Sequence, residues 1–161
     1  MSNHKIYRTP SAYGYPLLIK QLLNTLELRN PDQEIVYADR LRYTYRNFKK
    51  RVARLANLLK SLGVEEGDTV AVLDWDSHRY LECFFAIPMI GAVLHTVNIR
   101  LSHEQILYTM NHAGDDLVVI NKEFLPLIAP ILDQIETVKD WVVISESEDN
   151  ADSDIQFAGE Y

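Results

Sequence analysis

The chain contains a single cysteine, Cys83, so no disulfide can close within it. A reducing compartment fits that usage, and the chain reads as cytoplasmic. Cys83 lies in the apolar run LECFFAIP, where nothing nearby would stabilise a thiolate, so a buried structural thiol is expected. Glycine is scarce too: the six stand at positions 14, 63, 67, 91, 114 and 159. None makes a G-x-G-x-x-G or G-x-x-x-x-G-K pattern, so no run of backbone N–H groups is set up to cradle a triphosphate. No apolar run reaches the roughly 18 residues that span a bilayer. The opening MSNHKIYRTPSAYGY lacks the apolar centre of an export signal. Histidines stand at 4, 78, 95, 103 and 112, with no H-x-x-x-H pair and no Cys/His cluster, so no metal site is expected.

What is present is ordinary globular material. Apolar residues make up 47% and charged residues 24%, which argues against disorder or a fibrous protein. The 161 residues suffice for one α/β domain with a real core. Net charge is −7, and six of the acids (Glu146, Glu148, Asp149, Asp152, Asp154, Glu160) fall after Ser145 with no Lys or Arg among them. Setting those six aside leaves −1 for the body, without the basic footprint of a nucleic-acid binder. We therefore divide the chain into a body over residues 1–150 and a solvated acidic tail over 151–161.

Helical and strand signals alternate, which predicts an α/β fold with a mostly parallel sheet flanked by helices. A short helix is expected over 17–28 and a small hairpin over 34–38 and 41–44. Phe48, Val52, Leu55, Leu59 and Leu62 repeat at steps of four and three, predicting a helix over 45–62 with Thr44 as cap and Gly63 as stop. The basic residues off that stripe (Lys49, Lys50, Arg51, Arg54, Lys60) read as a wet face. Strands are expected at 69–73, 93–97, 117–120 and 141–144. The segment 78–90 reads as a helix covered from two directions, kinked or ended by Pro88. Ser102 and Gln105 form a capping box for a helix over 102–113, closed by Gly114. A further helix is expected over 123–134.

The run GAVLHTVNIRLSHEQ, from 91 to 105, is the most informative stretch. Its first half reads as a buried strand, and Asn98 and Arg100 follow where that strand ends. A guanidinium at the carboxyl end of a strand is where open α/β sheets hold phosphate-bearing ligands. On spacing alone, a solvated loop arginine is the competing reading. His95 interrupts the strand; it reads either as a hydrogen-bonded core histidine or as a residue lining a site beside the strand end. Asp76, Ser77 and His78 are consecutive, but a hydrolase triad draws its members from separate elements and there is no G-x-S-x-G, so a helix cap is the simpler role.

The patterns TYRNFKKRVARLANLLKSLGVEEGDTVAVL, HRYLECFFAIPMIGAVLHTVNIRLSHEQILYTMNHAGDDLVVI, LPLI and VKDWVVISE resemble the N-terminal portion of the adenylate-forming acyl-CoA synthetases, over about residues 17–150. FFAIPMIGAVLHTVNIRL and YTMNHAGD point to medium- and long-chain fatty-acyl-CoA ligases within that group. The resemblance implies the first lobe of the synthetase N-terminal domain. It implies a two-step reaction in which a fatty acid, ATP with Mg2+ and coenzyme A give acyl-CoA, AMP and pyrophosphate through an acyl-adenylate. The family's glycine-rich phosphate loop and mobile C-terminal domain would lie beyond Tyr161, so the chain is expected to be an N-terminal fragment with no catalytic residue of its own and no activity alone. A binding or interaction module that keeps the lobe without the chemistry is the alternative; a receiver-like signalling domain would need acids and a lysine clustered at strand ends, which the sequence does not offer.

Arg100 matches the arginine of the family's Asn-Pro-Arg-Leu segment, which implies contact with a phosphate at the nucleotide end of coenzyme A. Asn98 matches the Asn and would shape the turn. Ile99 stands where the family usually has Pro, which makes the loop less rigid by sequence. Asp76 stands where relatives often carry Asn. A lobe of a larger domain should also expose apolar surface near 78–90, so self-association or a homodimer is expected.

Overall fold

The computed structural model describes residues 9–11, 14, 18–145 and 159–160. Helix α1 (Lys20–Arg29) leads into an antiparallel hairpin of β1 (Glu34–Tyr37) and β2 (Leu41–Thr44). Then follow α2 (Tyr45–Ser61), β3 (Thr69–Leu73), α3 (His78–Met89), β4 (Val93–Thr96), α4 (His103–Ala113), β5 (Leu117–Asn121), α5 (Leu125–Ile128), β6 (Asp140–Ile144) and β7 (Gly159–Glu160). The last five strands form one sheet in the order β4-β3-β5-β6-β7, every neighbouring pair parallel. This is the expected α/β architecture. Among the described residues no helix is long and apolar enough to cross a membrane.

Alternation along the strands builds a core on each face of the sheet. Val70 and Val72 point into a cluster with Phe48, Leu55 and Leu59 of α2 and Ala86 and Ile87 of α3. Ala71 and Leu73 point into a second cluster with Ile106 and Met110 of α4 and Ile128 beyond β5. Each fully buried Leu, Phe or Ile there contributes about 1.5–3 kcal/mol, so both faces are sealed by side chains of local periodicity. Thr44 caps α2 by accepting from the Asn47 N–H at 3.3 Å. Ser102 and Gln105 cap α4 reciprocally, and Gly114 ends it at φ +67°. Residue 114 needs the left-handed region, which glycine enters without a Cβ penalty.

Several expectations change. The strand at 93–97 is not buried: among the described residues β4 is the sheet's outer strand, paired with β3 alone, and Val93 is 52% exposed. Helix α3 is covered from two directions as expected, by α2 and by the β3–β4 side of the sheet, although Leu81, Phe84 and Met89 stay partly in solvent. The segment 123–134 is not one helix but a 3-10 turn (Lys122–Phe124), the single turn α5 and a second 3-10 stretch (Ala129–Gln134). Pro126 and Pro130 withdraw two N–H donors within five residues, which prevents an unbroken i→i−4 ladder. The helix near 17–28 begins at Lys20, and Leu17 lies outside the described residues. Most of the acidic tail lies outside them too, as does the boundary at 150, but Gly159–Glu160 pairs with Val142–Val143 and so extends the sheet.

Basic residues of α2 also depart from a simple wet face. Arg51 forms a bidentate pair with the fully buried Glu82 of α3, Nε to Oε1 at 2.5 Å and Nη2 to Oε2 at 3.2 Å. The Tyr43 hydroxyl donates to Glu82 Oε1 at 3.2 Å, and its pKa is pushed up, first by burial and then by the Glu82 charge. Cys83 is buried and its thiol is pushed up by desolvation, as an inert core thiol should be.

Candidate functional site at the carboxyl rim of the sheet

The strand order fixes where a ligand crevice can open. The chain leaves β3 through α3 on one face to reach β4, then returns through α4 on the other face to β5, on the far side of β3. The chain thus departs from β3 and from β5 toward opposite faces, and the carboxyl rim at such a point is where open α/β sheets bind ligands.

Asp74 closes β3 and is buried. It accepts hydrogen bonds from the Ser77 hydroxyl and, at 2.7 Å, from the Asn121 side-chain amide at the end of β5. Burial pushes its carboxyl above the usual range, against the pull of the Ser77 and Asn121 donors and the Arg79 charge. Ser77 also accepts from the Arg79 and Tyr80 N–H groups, so it is the cap of α3 and no nucleophile. Asn121 Oδ1 accepts from the Glu123 N–H at 3.0 Å. Glu123 in turn accepts from Trp75 Nε1 at 2.8 Å, and the Trp75 ring lies 4.9 Å from that of Phe124. Arg79 Nη2 donates to the Ser145 carbonyl at 3.2 Å, tying α3 to the end of β6.

One strand outward, Asn98 Oδ1 accepts from the Arg100 N–H at 3.0 Å, and the Asn98 carbonyl accepts from the Leu101 N–H at 3.2 Å. The turn is thus held by Asn98, and Ile99 packs on the second core cluster. Arg100 is exposed at this rim. His95 goes elsewhere: its Nδ1 lies 2.9 Å from both carboxylate oxygens of Asp115, a fully buried residue that precedes β5 at the opposite, amino-terminal rim. Burial pushes the Asp115 carboxyl up, and the His95 hydrogen bond and charge offset part of that. Asn98 and Arg100 are therefore brought together, and His95 is kept from them by its tie to Asp115. Asn121 escaped the sequence reading; only its position at a strand end signalled it.

This fold coincides with that of a known family. The sequence profile of the AMP-binding enzymes matches residues 26–160, and the chain belongs to that family. Its relatives are acid–CoA ligases. It is 44% identical over 105 residues to the long-chain-fatty-acid–CoA ligase of Thermus thermophilus, a match covering 65% of this chain and 19% of that protein. It is 33% identical over 140 residues to the 3-methylmercaptopropionyl-CoA ligase of Ruegeria lacuscaerulensis, covering 84% and 26%. The fold superposes on the anthranilate CoA ligase AuaEII in complex with anthranoyl-AMP with a TM-score of 0.71 at 27% identity, covering 80% of this chain and 25% of that one. The fatty acyl CoA synthetase of Mycobacterium tuberculosis gives 0.72 at 26% identity, with coverages of 76% and 26%. The chain spans only about a fifth to a quarter of the length of the relatives it matches.

Proposed function

We propose that the chain is the first lobe of an ATP-dependent fatty-acid–CoA ligase acting on long-chain acids. In that reaction a carboxylate attacks the α-phosphate of Mg2+-bound ATP, forming an acyl-adenylate and releasing pyrophosphate. The thiol of coenzyme A then attacks the acyl carbon and AMP leaves. The lobe supplies scaffold and one wall of the cleft, and Arg100 takes a phosphate at the nucleotide end of coenzyme A. Asn98 sets the turn that presents it. The lobe alone carries out neither half-reaction, since its sequence holds no glycine-rich phosphate loop. The apolar side chains left in solvent on α3 and β4 support self-association of the isolated chain.

The observation that carries this reading is the exposed Arg100 on a turn fixed by Asn98 at the carboxyl rim, within a chain whose relatives are acid–CoA ligases. A guanidinium–phosphate contact is a charge-assisted hydrogen bond worth about 1.5–3 kcal/mol. In the ligase that contains this chain, Arg100→Ala should therefore raise the KM for coenzyme A by roughly tenfold or more. Pyrophosphate exchange driven by the fatty acid should stay near wild type. Equal loss in both half-reactions would overturn the role.

A further inference from the structure

The carboxyl rim at β3 and β5 carries a feature that catalysis by the rest of a ligase does not explain. Trp75 is the first exposed residue after β3 and leaves 44% of its surface in solvent. It is nonetheless fixed. Its indole N–H is held by Glu123, and its ring rests against Phe124, which belongs to the second core cluster. An exposed indole with its edge and one side pinned is a flat, low-entropy surface for a planar ring. Ile99 and Leu101, which flank Arg100, pack on the same cluster, and Trp75 and Arg100 follow β3 and β4, which are parallel neighbours in the sheet. Charge divides the patch. Asp76 and Glu123 are acidic and exposed beside Trp75, which disfavours a phosphate there; Arg100 and His103, exposed at the start of α4, lie on the other side.

We propose that Trp75 is the stacking platform for the nucleobase of the nucleotide whose phosphate Arg100 takes. The inference rests on the reading of Arg100 given above. A base with amino donors, such as adenine, suits the acidic flank formed by Asp76, and its ribose phosphate then extends toward Arg100.

The test uses the 161-residue chain and adenosine 3′,5′-bisphosphate, with adenosine as the phosphate-free control. The chain has two tryptophans, and Trp141 is buried, so a saturable change in emission on adding nucleotide reports Trp75. By calorimetry, Trp75→Ala should weaken the bisphosphate on the order of tenfold, while Trp75→Phe, which keeps a stacking ring, stays within about threefold. Arg100→Ala should weaken the bisphosphate and leave adenosine unchanged. Binding that depends on Arg100 but leaves Trp75 emission and the Trp75→Ala affinity untouched would overturn the platform and spare the Arg100 reading. Quenching that persists with Arg100→Ala would keep the platform and remove the shared ligand. No binding of either probe at millimolar concentration would overturn the proposal outright.

Discussion

Asn121 donates its side-chain amide to the buried carboxylate of Asp74 at 2.7 Å, across 47 residues of sequence, and so latches the end of β5 to the end of β3. Removing one partner of a buried hydrogen bond leaves the other without its donor, which costs about 1–3 kcal/mol. Asn121→Ala should lower the unfolding free energy by that amount in urea titrations at neutral pH. Asn121→Asp should cost more, since a second carboxylate would face Asp74.

Asp74 also predicts a pH dependence. Its folded-state carboxyl titrates above the usual range because burial penalises the charged form. The native state therefore holds this proton more tightly than the unfolded chain does. The contribution is fully present below the unfolded carboxylate range and is lost as pH rises through the raised folded value. Asp74→Asn, which stays neutral, should be relatively more stable than wild type at neutral pH, with the gap closing as pH falls through the raised folded value and closed below about 4, the unfolded Asp value. Thermal unfolding of both proteins from pH 3 to 7 checks this; a gap that widens on acidification would contradict it.

Much of the fold is local enough to read from the chain. The Phe48–Val52–Leu55–Leu59 stripe, the Ser102–Gln105 box and the Gly114 stop each lie within one or two turns, and each appears in the structure. The Asn98–Arg100 turn is likewise a two-residue relation. What was not legible is set by strand order. VLHT reads the same in a central or an edge strand, and only the placement of β4 outside β3 exposes Val93. The Arg51–Glu82 and His95–Asp115 pairs join residues 31 and 20 apart, and no periodicity announces them. Both prolines of 123–134 were visible, yet the broken helix depends on their summed loss of donors within so short a span.

Glu82 supplies a buried charge that Arg51 pairs bidentately and to which the Tyr43 hydroxyl donates. Arg51→Ala removes the bidentate cation from this buried carboxylate and should cost roughly 3–5 kcal/mol. The double change Arg51→Met with Glu82→Leu should recover most of that, because the charge and its partner leave together. Chemical denaturation of the two variants separates a needed charge pair from a needed shape. A double variant as unstable as the single one would show that packing, not charge, governs the site.

Self-association of the isolated chain follows from where its apolar surface lies. Leu81, Phe84 and Met89 on α3 are 38%, 40% and 39% exposed, and Val93 stands on the neighbouring edge strand. An outer strand presents backbone donors and acceptors on its free side, and β4 carries neither a lysine nor a proline to blunt it. Concentration-dependent association should appear in sedimentation velocity at tens to hundreds of micromolar, a regime typical of weak contacts. Val93→Lys places a charge on the edge and Phe84→Ser removes an exposed ring of α3, so each should shift the chain toward monomer without lowering its melting temperature. A wild-type chain that sediments as a monomer across this range would refute the proposed association.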